Sequence, residues 1–409
     1  MNDTTSFIVI VGAGHAGGRA AQAMRQAGFD GRIVLIGEEA YPPYERPPLS
    51  KELLYGDDGL EKAQLHDPAW YAEHDVELRL GARATAVDPA THTVTLEGGE
   101  TLHYDKLLLT TGARVRRLPI PGAELDGVSY IRDFDDTCAL RKRLKPGIRA
   151  VVIGGGFIGL ETAASALKRG ASVVVLEAAD RLMGRSVAPE VAAWFADMHR
   201  RHGVDIRLGA AIAAIEGHGR VERVVMADGE AIPADVVVIG IGIVPNAELA
   251  EAAGLDVDNG VVVDARGRTS DPDIYAAGDV ANQPNVFAGR RLRLESYQNA
   301  QDQAMAVARN MCGGDQAYED SLWVWSDQHN VNLQMTGAPD AWDDLVWRGD
   351  VDGGCFTVFY LKDGRIVAVN TVNNGREMKP AQRLMQTGKR FDRASLADPE
   401  IRLLKLAKA

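Results

Sequence analysis

An α/β protein built on two separate parallel sheets, followed by a compact α+β domain, is what this sequence predicts. Three observations carry the prediction. IVIVGAGHAGG (8–18) and VVIGGGFIGLE (151–161) each read as a buried strand, a glycine turn and a helix. From about residue 320 the texture changes to strand-like runs, LWVWSDQ and GCFTVFYLKDGRIVAVNTV, followed by two helical stretches.

Each element has a local reason. Residues 7–11 are β-branched and continuous, as in a strand buried on both faces. Residues 15–27 are Ala-rich and helix-compatible, with Gly28 as a C-cap. A second strand follows at 32–36, so a β-α-β unit occupies 7–36. The loop EEAYPPYERPPLSK then carries four prolines, which keep it extended without ladder donors. Ser50 reads as the N-cap of a short helix. Residues 76–110 read as short strands with a turn at Gly98 and Gly99. The second β-α-β unit runs through 150–176, and further strands cover 204–244. DPDIYAAGD (271–279) ends a strand and opens a helix-like segment, and KDG (362–364) is a hairpin turn.

The totals bound the function. The 409 residues suit two or three domains. A net charge of −12 argues against a general nucleic-acid binder, because duplex affinity rests on neutralised phosphates. Cys138, Cys312 and Cys355 stand far apart, with no CxxC and no Cys/His cluster, so neither a metal site nor a redox dithiol is suggested. Sparse cysteines fit a reducing cytoplasm. The N-terminus lacks the basic region of a signal peptide. No apolar run reaches the roughly 18 residues of a membrane span.

Gly12, Gly14 and Gly17 fit G-x-G-x-x-G, and so do Gly154, Gly156 and Gly159. In such Rossmann-like units the first glycine makes the tight turn and the second lets backbone approach a pyrophosphate. The third lets helix pack on strand, and the helix N-terminus faces the phosphate charge. An acid ending the next strand takes the ribose hydroxyls, a place filled by Glu38 and Glu177. A carboxylate at 177 accepts from a free 2′-hydroxyl and repels a 2′-phosphate, which predicts NADH over NADPH. Arg181 and Arg185 close downstream temper that preference.

The remaining motifs narrow the family. LLLTTGARVRRLPIPG (107–122), TSDPDIYAAGD (269–279) and GIGIVPN (240–246) resemble further motifs of two-dinucleotide-domain flavoproteins. Adding RPPLSK (46–51), RDFDD (132–136), LESYQNAQDQ (294–303) and WVWSDQ (323–328), the chain resembles the FAD-dependent ferredoxin reductases of bacterial oxygenase systems from residue 7 to its end. The resemblance implies an FAD domain (1–112 and 247–319) interrupted by an NAD domain (113–246), then a C-terminal interface domain (320–409).

It also implies site roles. Lys51 lies beside the flavin N5 and pairs with Glu161, the two forming the catalytic pair. FAD is held by Gly12, Gly14, Ala16, Gly17, Glu38, Ala84, Arg132, Asp279, Tyr297 and Trp325. NADH is held by Gly154, Gly156, Ile158, Gly159, Glu161, Glu177 and Gly242. Read without the resemblance, Lys51 is a surface lysine, Glu161 an exposed helix residue and Asp279 a helix cap. Trp323 reads as packing on the opposite face of the strand from Trp325. His15 reads as a helix N-terminal residue and not a base.

The implied reaction takes a hydride from NADH onto flavin N5 and passes single electrons to a two-iron ferredoxin. With no cysteine pair, electrons leave to an external partner. That partner is expected to be acidic, steered by Arg290, Arg291, Arg293 and the segment 376–409, which holds nine Lys/Arg and four acids. Solvated helix faces would show the same charge pattern. Two other readings stay open here: an NADH reductase of another small acceptor (monodehydroascorbate, a quinone or rubredoxin), and a redox-responsive binding protein of the same architecture.

Overall fold

The computed structural model describes residues 6–319 and 322–407, so Lys408 of the basic terminal segment lies outside the described residues. The chain divides into two compact units. The first comprises Met1–Arg46, Gly59–Arg114 and Val244–Asp320; the second comprises Pro47–Asp58, Val115–Ile243 and Ser321–Ala409.

In the first unit a five-stranded parallel sheet runs in the order Ile274–Ala276, Lys106–Leu109, Phe7–Val11, Arg32–Gly37, Val76–Leu80. Val9 and Ile10, on opposite faces of the central strand, are both fully buried, which is why the run shows no polar alternation. The helix His15–Gln26 follows the glycine turn. It stops at Ala27, and Gly28 takes the left-handed conformation (φ 82°) just beyond. The helix Tyr297–Met311 shares a core with it through Ala20, Met24, Ala304 and Val307. Three antiparallel strands, Ala84–Asp88, Thr93–Leu96 and Thr101–His103, make a separate small sheet.

The second unit repeats the parallel design: Asp205–Leu208, Ser172–Glu177, Arg149–Ile153, Val236–Ile239, Val128–Ser129. Its C-terminal part is a five-stranded antiparallel sheet in the order Val324–Gln328, Val331–Gly337, Arg365–Val372, Cys355–Lys362, Asp344–Asp350. Lys362 pairs with Arg365 across a two-residue turn in which Asp363 and Gly364 both have positive φ (51° and 75°), the geometry that suits strand twist. One core joins the two sheets of this unit. The helix Pro189–Arg201 drives Phe195 into it beside Phe356, the Tyr360 hydroxyl accepts the N–H of the capping Ala188 at 2.8 Å, and Trp194 donates to the Val351 carbonyl at 3.1 Å.

Three short helices, Met378–Gln386, Arg393–Ala397 and Leu403–Leu406, cover the other face of the antiparallel sheet. Arg348 ties them down. Its side chain is 3% exposed, pairs with Glu377 at 2.8 Å, and donates to the carbonyls of Leu396, Asp398, Pro399 and Ile401. Only a guanidinium fork supplies that many directed donors. Arg348→Met is expected to cost about 2–3 kcal/mol of local stability, read as faster proteolytic release of the segment after 390. Arg348→Lys should recover little of it.

Candidate functional site

The two glycine turns have the same internal logic. A Cβ at Gly12 (φ 118°) would stand 2.1 Å from the Thr110 carbonyl oxygen, and one at Gly154 (φ 112°) would stand 2.4 Å from that of Gly240. At Gly17 and Gly159 it would stand 2.0 Å from the carbonyl oxygens of Gly12 and Gly154, so packing demands glycine at all four positions. The middle glycines differ. A Cβ at Gly156 meets nothing within 4 Å, and at Gly14 it meets only Arg46 Nη2 at 4.0 Å. Both residues cap their helices without a side chain. Open space in front of uncovered first-turn N–H groups is what a pyrophosphate requires. The residues present therefore fit a dinucleotide at each turn.

Around the first turn, His15 is buried with its ring 4.3 Å from that of Tyr297, and neither ring nitrogen has a protein partner. Burial, reinforced by Arg19 and Arg46, lowers its pKa to about 3, so the imidazole stays neutral. Tyr297 donates to Glu45 at 2.7 Å. Ala16 is buried under Gly278, next to Asp279. Glu38 is exposed and paired with Arg83 at 3.2 Å. Ala84 points its methyl into the core with Leu96 and Leu102.

At the second turn, Glu177 accepts the Gly155 N–H at 2.6 Å and the Ala179 N–H at 2.7 Å, which fixes its carboxylate on the rim of the turn. Ile158 leaves 47% of its surface exposed in the first turn of the helix Phe157–Lys168. Gly242 (φ 104°) faces open space while its carbonyl accepts the Arg116 N–H at 2.9 Å.

The best-formed polar constellation also belongs to the second unit. Lys51 Nζ lies 2.7 Å from Glu161 Oε2, with side chains 11% and 3% exposed. Neither is the surface residue that local pattern alone suggests. The chain reaches this geometry because the Pro47–Ser50 turn is gripped from behind. Thr137 donates to the Leu49 carbonyl at 3.2 Å, Ser165 to that of Ser50 at 2.6 Å, and Arg141 to those of Leu53 and Asp58. Ser50 is not a helix cap. The helix Glu52–Tyr55 starts from Lys51, and the Ser50 hydroxyl instead donates to Glu161 Oε2 at 2.6 Å. Ser326 donates to Glu161 Oε1, also at 2.6 Å. Sequence reasoning missed both serines, although each sits inside a quoted motif, RPPLSK or WVWSDQ.

Of the residues expected around a flavin, Gly12, Gly14, Ala16, Gly17, Glu38, Ala84, Asp279 and Tyr297 fall in the first unit, and Lys51, Arg132 and Trp325 in the second. The Arg132 backbone N–H is held by Asp136 at 2.9 Å. Trp323 and Trp325 do not lie on opposite faces. Their rings stack 5.1 Å apart at 22°, as the two-residue period of a strand dictates.

Of the expected arginine docking cluster, one member is buried in the fold. The Arg293 side chain is 7% exposed, pairs with Glu295 at 2.6 Å and donates to the Asp279 carbonyl. Arg291 donates to the carbonyls of Val263 and Asn282. Both guanidiniums bind backbone carbonyls, yet Arg291 as well as Arg290 remains exposed. In the C-terminal segment Arg393 is spent on Asp344.

Comparison with known proteins places these features in context. Residues 6–304 match the pyridine nucleotide-disulphide oxidoreductase family, and 323–407 match the reductase C-terminal family. The chain is 46% identical to the ferredoxin–NAD(+) reductase component of the anthranilate 1,2-dioxygenase system of Burkholderia cepacia, over 97% of this chain and 98% of that protein. It is 40% identical to putidaredoxin reductase of Pseudomonas putida, over 92% and 91%. The crystal structure of a covalent putidaredoxin reductase–putidaredoxin complex matches with a TM-score of 0.96 at 38% identity, covering 100% of both chains.

Proposed function

The chain belongs to the pyridine nucleotide-disulphide oxidoreductase family, among its ferredoxin reductases of oxygenase systems, and from that premise we propose how it works. It is an NADH-dependent flavoprotein that reduces a small two-iron ferredoxin serving an oxygenase. Bound FAD would supply the chemistry, accepting the hydride of NADH at N5 and releasing electrons singly. The observation that carries the reading is the buried Lys51–Glu161 pair, because the three separate, unpaired cysteines offer no thiol route for electrons.

The chain's own residues bind and orient. Gly12, Gly14 and Gly17 with the helix His15–Gln26 seat the FAD pyrophosphate. Ala16, Glu38, Ala84, Arg132, Asp279, Tyr297 and Trp325 make its remaining contacts. Gly154, Gly156 and Gly159 with the helix Phe157–Lys168 seat that of NADH, flanked by Ile158 and Gly242. Glu177 takes the ribose hydroxyls. Lys51 would place its side-chain amine beside the flavin N5, held by Glu161. We assign 1–112 and 247–319 to FAD binding, 113–246 to NADH binding and 320–409 to the interface domain. Ferredoxin docks through the exposed Arg290 and Arg291 and the basic terminal segment. The site of action is the cytoplasm, supported by the cysteine usage and by NADH as the donor; no helix among the described residues is long and apolar enough to cross a membrane.

Purified protein is expected to carry a yellow flavin spectrum and to reduce ferredoxins from a panel in preference to ascorbyl radical or quinones when given NADH. Protein that stays colourless after incubation with FAD would overturn the reading.

A further inference from the structure

A line of hydrogen bonds leads away from Glu161 through the second unit. Ser326 Oγ lies 2.6 Å from Glu161 Oε1, and Gln328 Nε2 lies 3.1 Å from Ser326 Oγ. His199 Nε2 lies 2.8 Å from Gln328 Oε1, and His329 Nε2 lies 3.1 Å from His199 Nδ1. Ser326, Gln328 and His199 are each 0% exposed. The line reaches the surface at His329, which is partly buried, and at His202, which is exposed and stacks on it at 4.1 Å.

The carboxylate sets the direction of every bond. An ionised Glu161 only accepts, so Ser326 gives it its single proton. Ser326 can then only accept, which turns the Gln328 amide N–H₂ toward it. That amide's oxygen faces His199, which must carry its proton on Nε2. His199 Nδ1 then accepts from His329. Reversing any one member leaves two donors or two acceptors facing each other in a buried space, an arrangement that costs more than a lost bond.

We propose that His199 is a positioning residue for the Lys51–Glu161 pair: its Nε2–H donates to Gln328, fixes one orientation of that amide and so commits the Ser326 O–H to the Glu161 carboxylate. The inference rests on the reading that Lys51 faces the flavin. Without the His199 donor, Gln328 is free to turn its oxygen to Ser326 and draw that proton off Glu161.

The surroundings keep the line in one state through neutral pH. Burial lowers the pKa of His199 to about 4, outweighing the opposing hydrogen bond to Gln328, with His202 adding to the lowering. Burial lowers that of His329 to about 3, reinforced by His199, His202 and Lys168. Glu161 is faced by Lys51 and Ser50 from the 47–58 segment and by Ser326 from the strand Val324–Gln328. Met183 Sδ, 3.8 Å from Gln328 Nε2, also favours the same amide orientation.

The test uses the FAD-loaded full chain. Flavin reduction by NADH is followed in single turnovers between about pH 5 and pH 9 for the native protein, His199→Phe, His199→Gln and Ser326→Ala. Nitrogen-15 spectra report the His199 tautomer with and without FAD. The native protein should show His199 protonated on Nε2. His199→Phe and Ser326→Ala should move the acid limb to higher pH by about one unit, a tenfold slower reduction on that limb. His199→Gln, which keeps an N–H donor, should restore the native limb. A His199 protonated on Nδ1, or a native profile in His199→Phe, overturns the proposal. Lys51→Met and Glu161→Gln separate the causes. If they shift the profile and the others do not, the line alone fails; if none shifts it, the reading of Lys51 fails and this inference with it. Should His199→Phe not fold, Ser326→Ala and the tautomer decide.

Discussion

Glu161→Ala is expected to be the most damaging single substitution in the site, costing about 3–5 kcal/mol of stability and about a hundredfold in flavin reduction by NADH. The stability loss follows from what remains. Lys51 would keep its ammonium in a place where only 11% of the side chain meets solvent, and the hydroxyls of Ser50 and Ser326 would lose their shared acceptor. The rate loss follows from the role proposed for Lys51, whose amine drifts once nothing holds it. A double substitution separates the two effects. Lys51→Met with Glu161→Leu exchanges an ion pair for an apolar pair of similar volume, which commonly returns much of the stability. Thermal unfolding should therefore recover in the double variant, while stopped-flow reduction of the flavin stays slow. If the rate recovers together with the stability, the pair is structural and Lys51 does not serve the hydride acceptor.

Features legible in the sequence are those whose cause is local. Both glycine turns announce themselves because their third glycines answer a clash within their own β-α-β unit, Gly17 against the Gly12 carbonyl and Gly159 against that of Gly154. Asp363 and Gly364 do the same for a two-residue hairpin. The resemblance supplied the Lys51–Glu161 pairing, which spans 110 residues and has no local signature. What stayed hidden was set by tertiary partners. Ser50 carries a cap-like pattern, yet a buried carboxylate outcompetes a helix end for its hydroxyl, since a charged acceptor makes the stronger bond. Arg293 counts as surface charge until its guanidinium is seen buried against Glu295 and the Asp279 carbonyl. Trp323 was misplaced for a simpler reason: residues two apart on a strand share a face.

Glu177 should decide which nicotinamide cofactor is used, and Glu177→Ala is expected to lower the NADH/NADPH ratio of kcat/KM by about a hundredfold. Its carboxylate is not free to swing away from an incoming ribose. Bonds from the Gly155 and Ala179 N–H groups pin both oxygens at the rim of the turn. A fixed negative charge there accepts from a 2′-hydroxyl, where a charged hydrogen bond contributes about 1.5–3 kcal/mol, and repels a 2′-phosphate. Removing it also lets Arg185, which is exposed, act on that phosphate. Arg181 is less available, being bound to Asp180 and to the Gly184 carbonyl. Because Glu177→Ala also strips the turn of an acceptor, part of any loss in NADH binding would come from the loosened Gly155 backbone. Glu177→Gln isolates the charge, since its amide oxygen still accepts one N–H. The ratio should fall in both variants, and KM for NADH should rise more in Glu177→Ala. A native ratio in Glu177→Gln alongside a low one in Glu177→Ala would make turn geometry, and not charge, the source of the preference. A native ratio in both would remove Glu177 from cofactor selection altogether.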